Sequence, residues 1–409
     1  MSPWYSFFVL AAGLVLVIGA IVWLRIHAFL ALLVAAIVVS LLAPGPWVGA
    51  IERVAEAFGA TAARVGIVIA LAAIIGNAMT ASGAADRIVR MFIELLGVKR
   101  CATALTASGF TLAIPVFFDT VFFLLLPLAR SVYRQTGRQY VKLILAVAAS
   151  ATAHALVPPT PGPLLAAGEL GVDLGTMILV GCAVGFPASA VGLLFAGWVD
   201  RRMPDLAPPD DGSEAPSIAP DQQPPLALAL APIALPVALI ALNTGVQAAT
   251  GAQPPAGAWA VAASALGVLG HPSFALLLSA VIAVATFWRC RRPPRGKIPH
   301  EIQDALTSAG VIILITSAGG AFGAMLREAQ LAAAIEAVFG DSAARGLGVI
   351  VLAFAVSGLI RFAQGSPTAA MLVTAAMFAA MLRPAAGTPI DAATLGFHPV
   401  YLATAIGGG

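Results

Sequence analysis

The sequence predicts an all-α polytopic membrane protein with roughly 10–12 membrane segments and two inverted-topology repeats, each holding a broken or re-entrant helix. Three observations predict it. The chain has 409 residues, 60% hydrophobic and 10% charged, with a mean hydropathy of +0.96, whereas soluble domains carry about 25% charged residues. Apolar runs long enough to span a bilayer recur along its length. Two of these runs are interrupted at their centres by proline and polar residues, at an offset of about 245 residues that points to an internal repeat with paired broken helices.

Phe7–Leu24 and His27–Ala43 are two spans joined by a turn at Arg25. The first lacks a basic n-region and is followed at once by the second, so it is read as a retained helix, not a cleaved leader. Trp47–Ala60 mixes two Glu and one Arg with apolar residues and is expected to be an interfacial helix. Val65–Ser82 is the third span. Asp86–Gly97 is amphipathic, bounded by Arg87, Arg90, Lys99 and Arg100, and is placed on the cytoplasmic surface.

The run Cys101–Ala129 is almost uncharged, yet Pro115 and Asp119 share one turn inside it. Proline removes a backbone donor and clashes with a continuing helix. A carboxylate at membrane depth costs about 2.5–3.5 kcal/mol unless paired. Arg130, Arg134, Arg138 and Lys142 follow, so both flanks are basic, and the positive-inside rule favours a hairpin that enters and leaves on one side. Its tip is Pro115–Asp119, covered by protein or water.

Val141–Val157 begins a span broken by Pro158-Pro159-Thr160-Pro161-Gly162-Pro163, a hexamer expected to be non-helical. Asp173–Trp198 returns to Arg201 and Arg202, and Pro204–Pro225 is a polar linker. Leu226–Gln247 and Ala258–Trp288 follow, the latter interrupted at His271-Pro272. Ile302–Met325 crosses next, then a short amphipathic segment, Leu331–Phe339. Gly346–Leu382 breaks at Arg361-Phe362-Ala363-Gln364-Gly365-Ser366-Pro367-Thr368, and Asp391–Gly409 ends without a full span, so a truncated C-terminal end is expected. The domain reading is 1–62 N-terminal helices, 63–200 first repeat, 201–225 linker, 226–301 connecting spans and 302–409 an incomplete second repeat.

Asp119 is the leading candidate for proton coupling; the alternative is a carboxylate capping the second half-helix. His154, buried in an apolar run beside a break, is read either as a second coupling group or as a satisfied core residue. Arg361 at membrane depth suits an anionic carboxylate, or an internal ion pair with Asp119 or Glu328. Gln364, Ser366 and Thr368 adjoin it. Pro367 suits the first turn of a new helix with Ser366 as its cap, aiming free N–H groups at an anion. Ser82, Phe118 and Thr160 complete the candidate substrate-binding set; Asn77, Thr80 and Ser82 are equally explained as small polar residues that pack helices.

Several classes are excluded. Cys101, Cys182 and Cys290 have no paired spacing, which disfavours a metal site or disulfide framework. His300-Glu301 lacks the second His of a zinc motif, and Gly319-Gly320-Ala321-Phe322-Gly323 lies in no βαβ unit. No Walker motif, nucleophile elbow or nucleic-acid footprint is present, so the chain reads as no enzyme, with no cofactor.

At these residues the chain resembles the gluconate:proton symporter (GntP-type) family of the ion-transporter group. Ile114-Pro115-Val116-Phe117-Phe118-Asp119 is similar to the family's I-P-L-F-F-D, and His154 through Pro163 to its H-G-L-L-P-P-H-P-G-P. Ile315 through Phe322 resembles I-T-G-A-G-G-A-F, and Arg361 through Ser366 resembles R-V-A-Q-G-S. Thr160 stands where the family often has His, and Pro367 where it has a small residue; its later S-H-x-N-D segment is absent. The resemblance implies a bacterial inner-membrane carrier that takes up gluconate or a related sugar acid or small hydroxy-carboxylate by alternating access. H+ is the implied coupling ion and a homodimer within membrane lipid the implied assembly. A sodium-coupled carboxylate carrier (Na+ held near Ser82 and Gln364) and a passive anion channel or facilitator are the alternatives.

Overall fold

The computed structural model describes residues 3–116, 118–136, 139–203, 222–250, 258–294, 296–330, 346–364, 367–382, 390 and 392–409. The side chains of Asp119 and Gln364 lie outside this description, as do Ser366, the Leu331–Phe339 segment and most of the Pro204–Pro225 linker. Among the described residues the protein is all-α, and seven helices are long and apolar enough to cross a membrane. Shorter apolar helices, including Cys101–Leu112 and Ala370–Leu382, add to them. It is a polytopic membrane protein.

The helices run α1 (Pro3–Val22), α2 (Ala28–Leu42), α3 (Ala50–Ser82), α4 (Ala84–Leu96), α5 (Cys101–Leu112), α6 (Phe118–Thr136), α7 (Tyr140–Ala149), α8 (Ala151–Leu156) and α9 (Pro161–Leu170). They continue with α10 (Leu174–Asp200), α11 (Leu226–Thr250), α12 (Ala258–Leu269), α13 (Pro272–Arg291) and α14 (Lys297–Glu328). Last come α15 (Leu347–Gln364), α16 (Pro367–Leu382), α17 (Ala392–Leu395) and α18 (Pro399–Gly408).

Two expectations are corrected. The interfacial helix Trp47–Ala60 and the span from Val65 form one 33-residue helix, α3. Nothing between them breaks a helix, and Arg64, whose charge suggests an end, is neutralised within the fold by Glu169 at 3.2 Å. The second correction concerns Pro158–Pro163. Only Val157–Thr160 leaves the helix, and Pro161 and Pro163 belong to the first turn of α9, where a missing N–H costs no hydrogen bond.

Two compact units share the chain: residues 1–69, 161–177 and 310–409 form unit 1, and residues 70–160 and 178–309 form unit 2. In unit 1, α1 packs on α2 and α15, while α16 packs on α9 and α18. Phe322 is fully buried there, and Gly13 lies so close to Val39 and Phe322 that any Cβ would collide with both. Ser357 donates to the Ile406 carbonyl at 2.6 Å, tying α15 to α18.

In unit 2, α5 packs on α4, α6 and α7, and α11 on α4 and α13. A cluster of Leu156, Val157, Ile178, Ile240 and Ala275 encloses the end of α8. Polar side chains at membrane depth bond back to their own helices. Thr106 donates to the Ala102 carbonyl at 3.1 Å, and Thr111 to the Ala107 carbonyl at 2.9 Å.

Candidate functional site

The first break is local proline chemistry. The ladder of α5 closes with Val116 N–H donating to the Leu112 carbonyl at 3.1 Å, and α6 starts at Phe118. Asp119 therefore stands in the first turn of α6, where the helix dipole favours an anion. Phe118 is half-buried, its ring 5.9 Å from that of Phe122. Helix α3 reaches this broken backbone through Gly76: a Cβ there would sit 3.3 Å from the Pro115 oxygen.

A cavity of about 110 Å³ opens beside the break. Its walls are Gly76 and Asn77 of α3, Pro115 and Val116 of the break, and Thr120 of α6. Asp304 and Ser308 of α14 close the remaining side. Asn77 is held in place by Glu301: its Nδ2 donates to the Glu301 backbone oxygen at 2.6 Å and to Oε2 at 3.0 Å. Asp304 pairs with His300 at 3.0 Å. All of these residues belong to unit 2.

The second break follows α8 in the same unit. His154 is buried, 8% exposed, on the last turn of α8. Thr160 is buried and donates to the Val157 carbonyl at 2.7 Å, closing the non-helical turn that includes a cis Pro158–Pro159 bond. Ser82, also buried, donates to the Met79 carbonyl at 3.1 Å and accepts from Ala84 N–H at 3.4 Å, so its hydroxyl stabilises the corner between α3 and α4. That corner turns at Gly83, with φ of 80°.

The remaining candidates lie in unit 1. Pro367 opens α16, as the first-turn reading requires, and Thr368 follows it half-buried. Arg361 is half-buried near the end of α15 and donates from Nη1 to the Gly409 carbonyl at 3.3 Å. Its described contact is thus a backbone oxygen, and Glu328, named above as an ion-pair partner, is exposed. Helix α16 packs on α9 closely enough that a Cβ on Gly162 would strike the Met371 sulfur.

The sequence reading passed over one cluster. Glu169 of α9 is 1% exposed and is held by two guanidiniums, Arg327 Nη1 at 2.8 Å and Arg64 Nη2 at 3.2 Å. Arg64 comes from α3 and Arg327 from α14, whose backbones meet where Gly320 lies against Thr61 with no space for a Cβ. A signal was there to read: Glu169 is a lone carboxylate in the apolar run Leu164–Gly171, the same anomaly that drew attention to Asp119. For Asp304 the sequence offers no such signal, because it lies near the polar start of α14.

Residues 5–409 match the family described as GntP family permease. An uncharacterized permease of Haemophilus influenzae is 33% identical, the alignment covering 94% of this chain and 81% of the relative. A gluconate permease of Pseudomonas aeruginosa is 34% identical over 90% of this chain and 81% of its own length. A D-serine transporter, DsdX, of Escherichia coli O6:H1 is 29% identical over 91% and 82% respectively.

Proposed function

The chain belongs to the GntP family of permeases, and from that premise we propose that it carries gluconate or a related small hydroxy-carboxylate across the bacterial inner membrane, coupled to protons. The observation that carries this reading is the break at Pro115, with Asp119 in the first turn of α6 and beside it a cavity lined in part by Asn77, Thr120, Asp304 and Ser308. A broken helix at membrane depth leaves backbone groups to be satisfied by solute or water, as in carriers with discontinuous helices. The relative named a gluconate permease supports the sugar-acid class; the relative named a D-serine transporter supports small carboxylates more widely.

In this mechanism Arg361 and the hydroxyl of Thr368 in unit 1 hold the substrate carboxylate, and Gln364 and Ser366, between them in sequence, are further candidates. In unit 2, Asp119 takes up the proton on the side of high proton activity and releases it inside, with His154 as its partner. Phe118, Thr160 and Ser82 shape the surfaces around the breaks. Alternating access then moves the site-bearing elements as rigid bodies.

Uptake of labelled gluconate into proteoliposomes under an inward proton gradient tests this reading. The expected result is accumulation that a protonophore abolishes, that sodium-free buffer leaves intact and that Asp119→Asn removes. Accumulation that needs sodium and ignores the protonophore would refute proton coupling. Accumulation that survives Asp119→Asn would remove Asp119 from the mechanism.

A further inference from the structure

The cavity beside the Pro115 break has a one-sided chemistry. Asn77 turns its amide nitrogen to two oxygens of Glu301, which fixes the amide orientation and leaves Oδ1 on the opposite side as an acceptor. Ser308 donates its hydroxyl proton to the Asp304 backbone oxygen at 3.2 Å, so the lone pairs of Oγ remain. An ionised Asp304 carboxylate is acceptor-only, and His300 engages its Oδ2 at 3.0 Å, leaving Oδ1 for another donor. No Lys or Arg is among the residues that line the cavity.

In an otherwise largely apolar lining, these acceptors, one of them a carboxylate, repel the acid group of a substrate and match groups that donate hydrogen bonds. We infer that this cavity is the subsite for the donor groups of the carried solute: the hydroxyls of a polyhydroxy acid, or the ammonium of an amino acid. Its volume is about 110 Å³. That admits a short hydroxylated chain and leaves the substrate carboxylate to be held elsewhere. The inference rests on the carboxylate-carrier reading above. It adds what that reading lacks, a determinant of which carboxylate is accepted.

The test uses the full chain, purified in detergent, with binding followed by ligand-dependent thermal stabilisation. Three probes separate the groups: gluconate (carboxylate and hydroxyls), serine (carboxylate and ammonium) and hexanoate (carboxylate alone). Asp304→Asn removes the charge at nearly constant shape, and Ser308→Ala removes one acceptor; both positions are exposed enough on α14 for the variants to fold. A hydrogen bond to a charged group is stronger than a neutral one, so Asp304→Asn should weaken the matching probe about tenfold. Ser308→Ala should weaken it less, and hexanoate should be unaffected.

Loss confined to gluconate identifies hydroxyls as the donors, and loss confined to serine identifies ammonium; either result supports the subsite. Unchanged affinity for both, or a parallel loss for hexanoate, overturns it while the carrier reading stands. A wild type that binds none of the three removes the carrier reading and the subsite together.

Discussion

Glu169 and Arg327, 158 residues apart in sequence, meet at 2.8 Å with the carboxylate 1% exposed. The pair joins α9, the half-helix that starts at the second break, to α14, and Arg64 joins the same carboxylate to α3 at 3.2 Å. Removing one partner from a buried pair leaves the other charge unsatisfied and costs about 3–5 kcal/mol. Glu169→Ala is therefore expected to lower the thermal stability of the purified protein markedly, and Arg327→Ala nearly as much. Arg64 is 48% exposed, so Arg64→Ala should cost far less. Equal effects of the two arginine substitutions in a melting assay would contradict this ranking.

Gly181 of α10 lies against the Leu156 carbonyl, the last residue of α8, so closely that a Cβ would overlap the oxygen. Backbone cannot yield as a flexible side chain does, and overpacking costs typically about 1–3 kcal/mol. Gly181→Ala should displace the turn at Val157–Thr160. The expected outcome is membrane expression with uptake reduced several-fold. Wild-type uptake rates in that variant would show that the turn tolerates the shift.

Arg361 is proposed to hold the carboxylate through its planar fork, which lysine cannot reproduce. Arg361→Gln should reduce uptake by more than about tenfold, and Arg361→Lys should restore little of it. Full rescue by lysine would mean that charge alone matters. Unchanged uptake in both variants would reduce Arg361 to its bond with Gly409.

Asp86 in the first turn of α4 lies on the amphipathic surface helix. Burial pushes its carboxyl above the ordinary aspartate value, against its own backbone hydrogen bond and the nearby Arg90 and Arg291, which pull it down. The folded state thus favours the protonated form: the contribution of Asp86 to stability is present below the ordinary aspartate value and is lost as pH rises through the raised one. Asp86→Asn should accordingly raise the melting temperature at neutral pH, with the gain vanishing in acid. A lower melting temperature for the variant at neutral pH would show that the arginines outweigh burial.

Proline chemistry made both edges of the first break readable, because Pro115 acts within its own turn whatever surrounds it. The same reasoning overreached at Pro161 and Pro163, where prolines start a helix as readily as they stop one. Arg64 illustrates the opposite limit. A lone arginine suggests the end of a span, and only its contact with Glu169, 105 residues away, explains why α3 continues through it.

The sequence by itself determined an all-helical membrane protein, the break at Pro115 and the permease family to which it belongs. Hydrophobic run length, proline geometry and ordered motifs are properties of a few adjacent residues. Tertiary structure alone decided that Glu169 is shared by two arginines, and that Asn77 and Asp304 line the cavity at the Pro115 break. Such placement depends on where distant helices cross, and in a uniformly apolar chain the hydropathy pattern is nearly the same for every crossing. Small residues such as Gly76, Gly181 and Gly320 set those crossings by letting backbones approach, and their partners emerge only once the chain has folded.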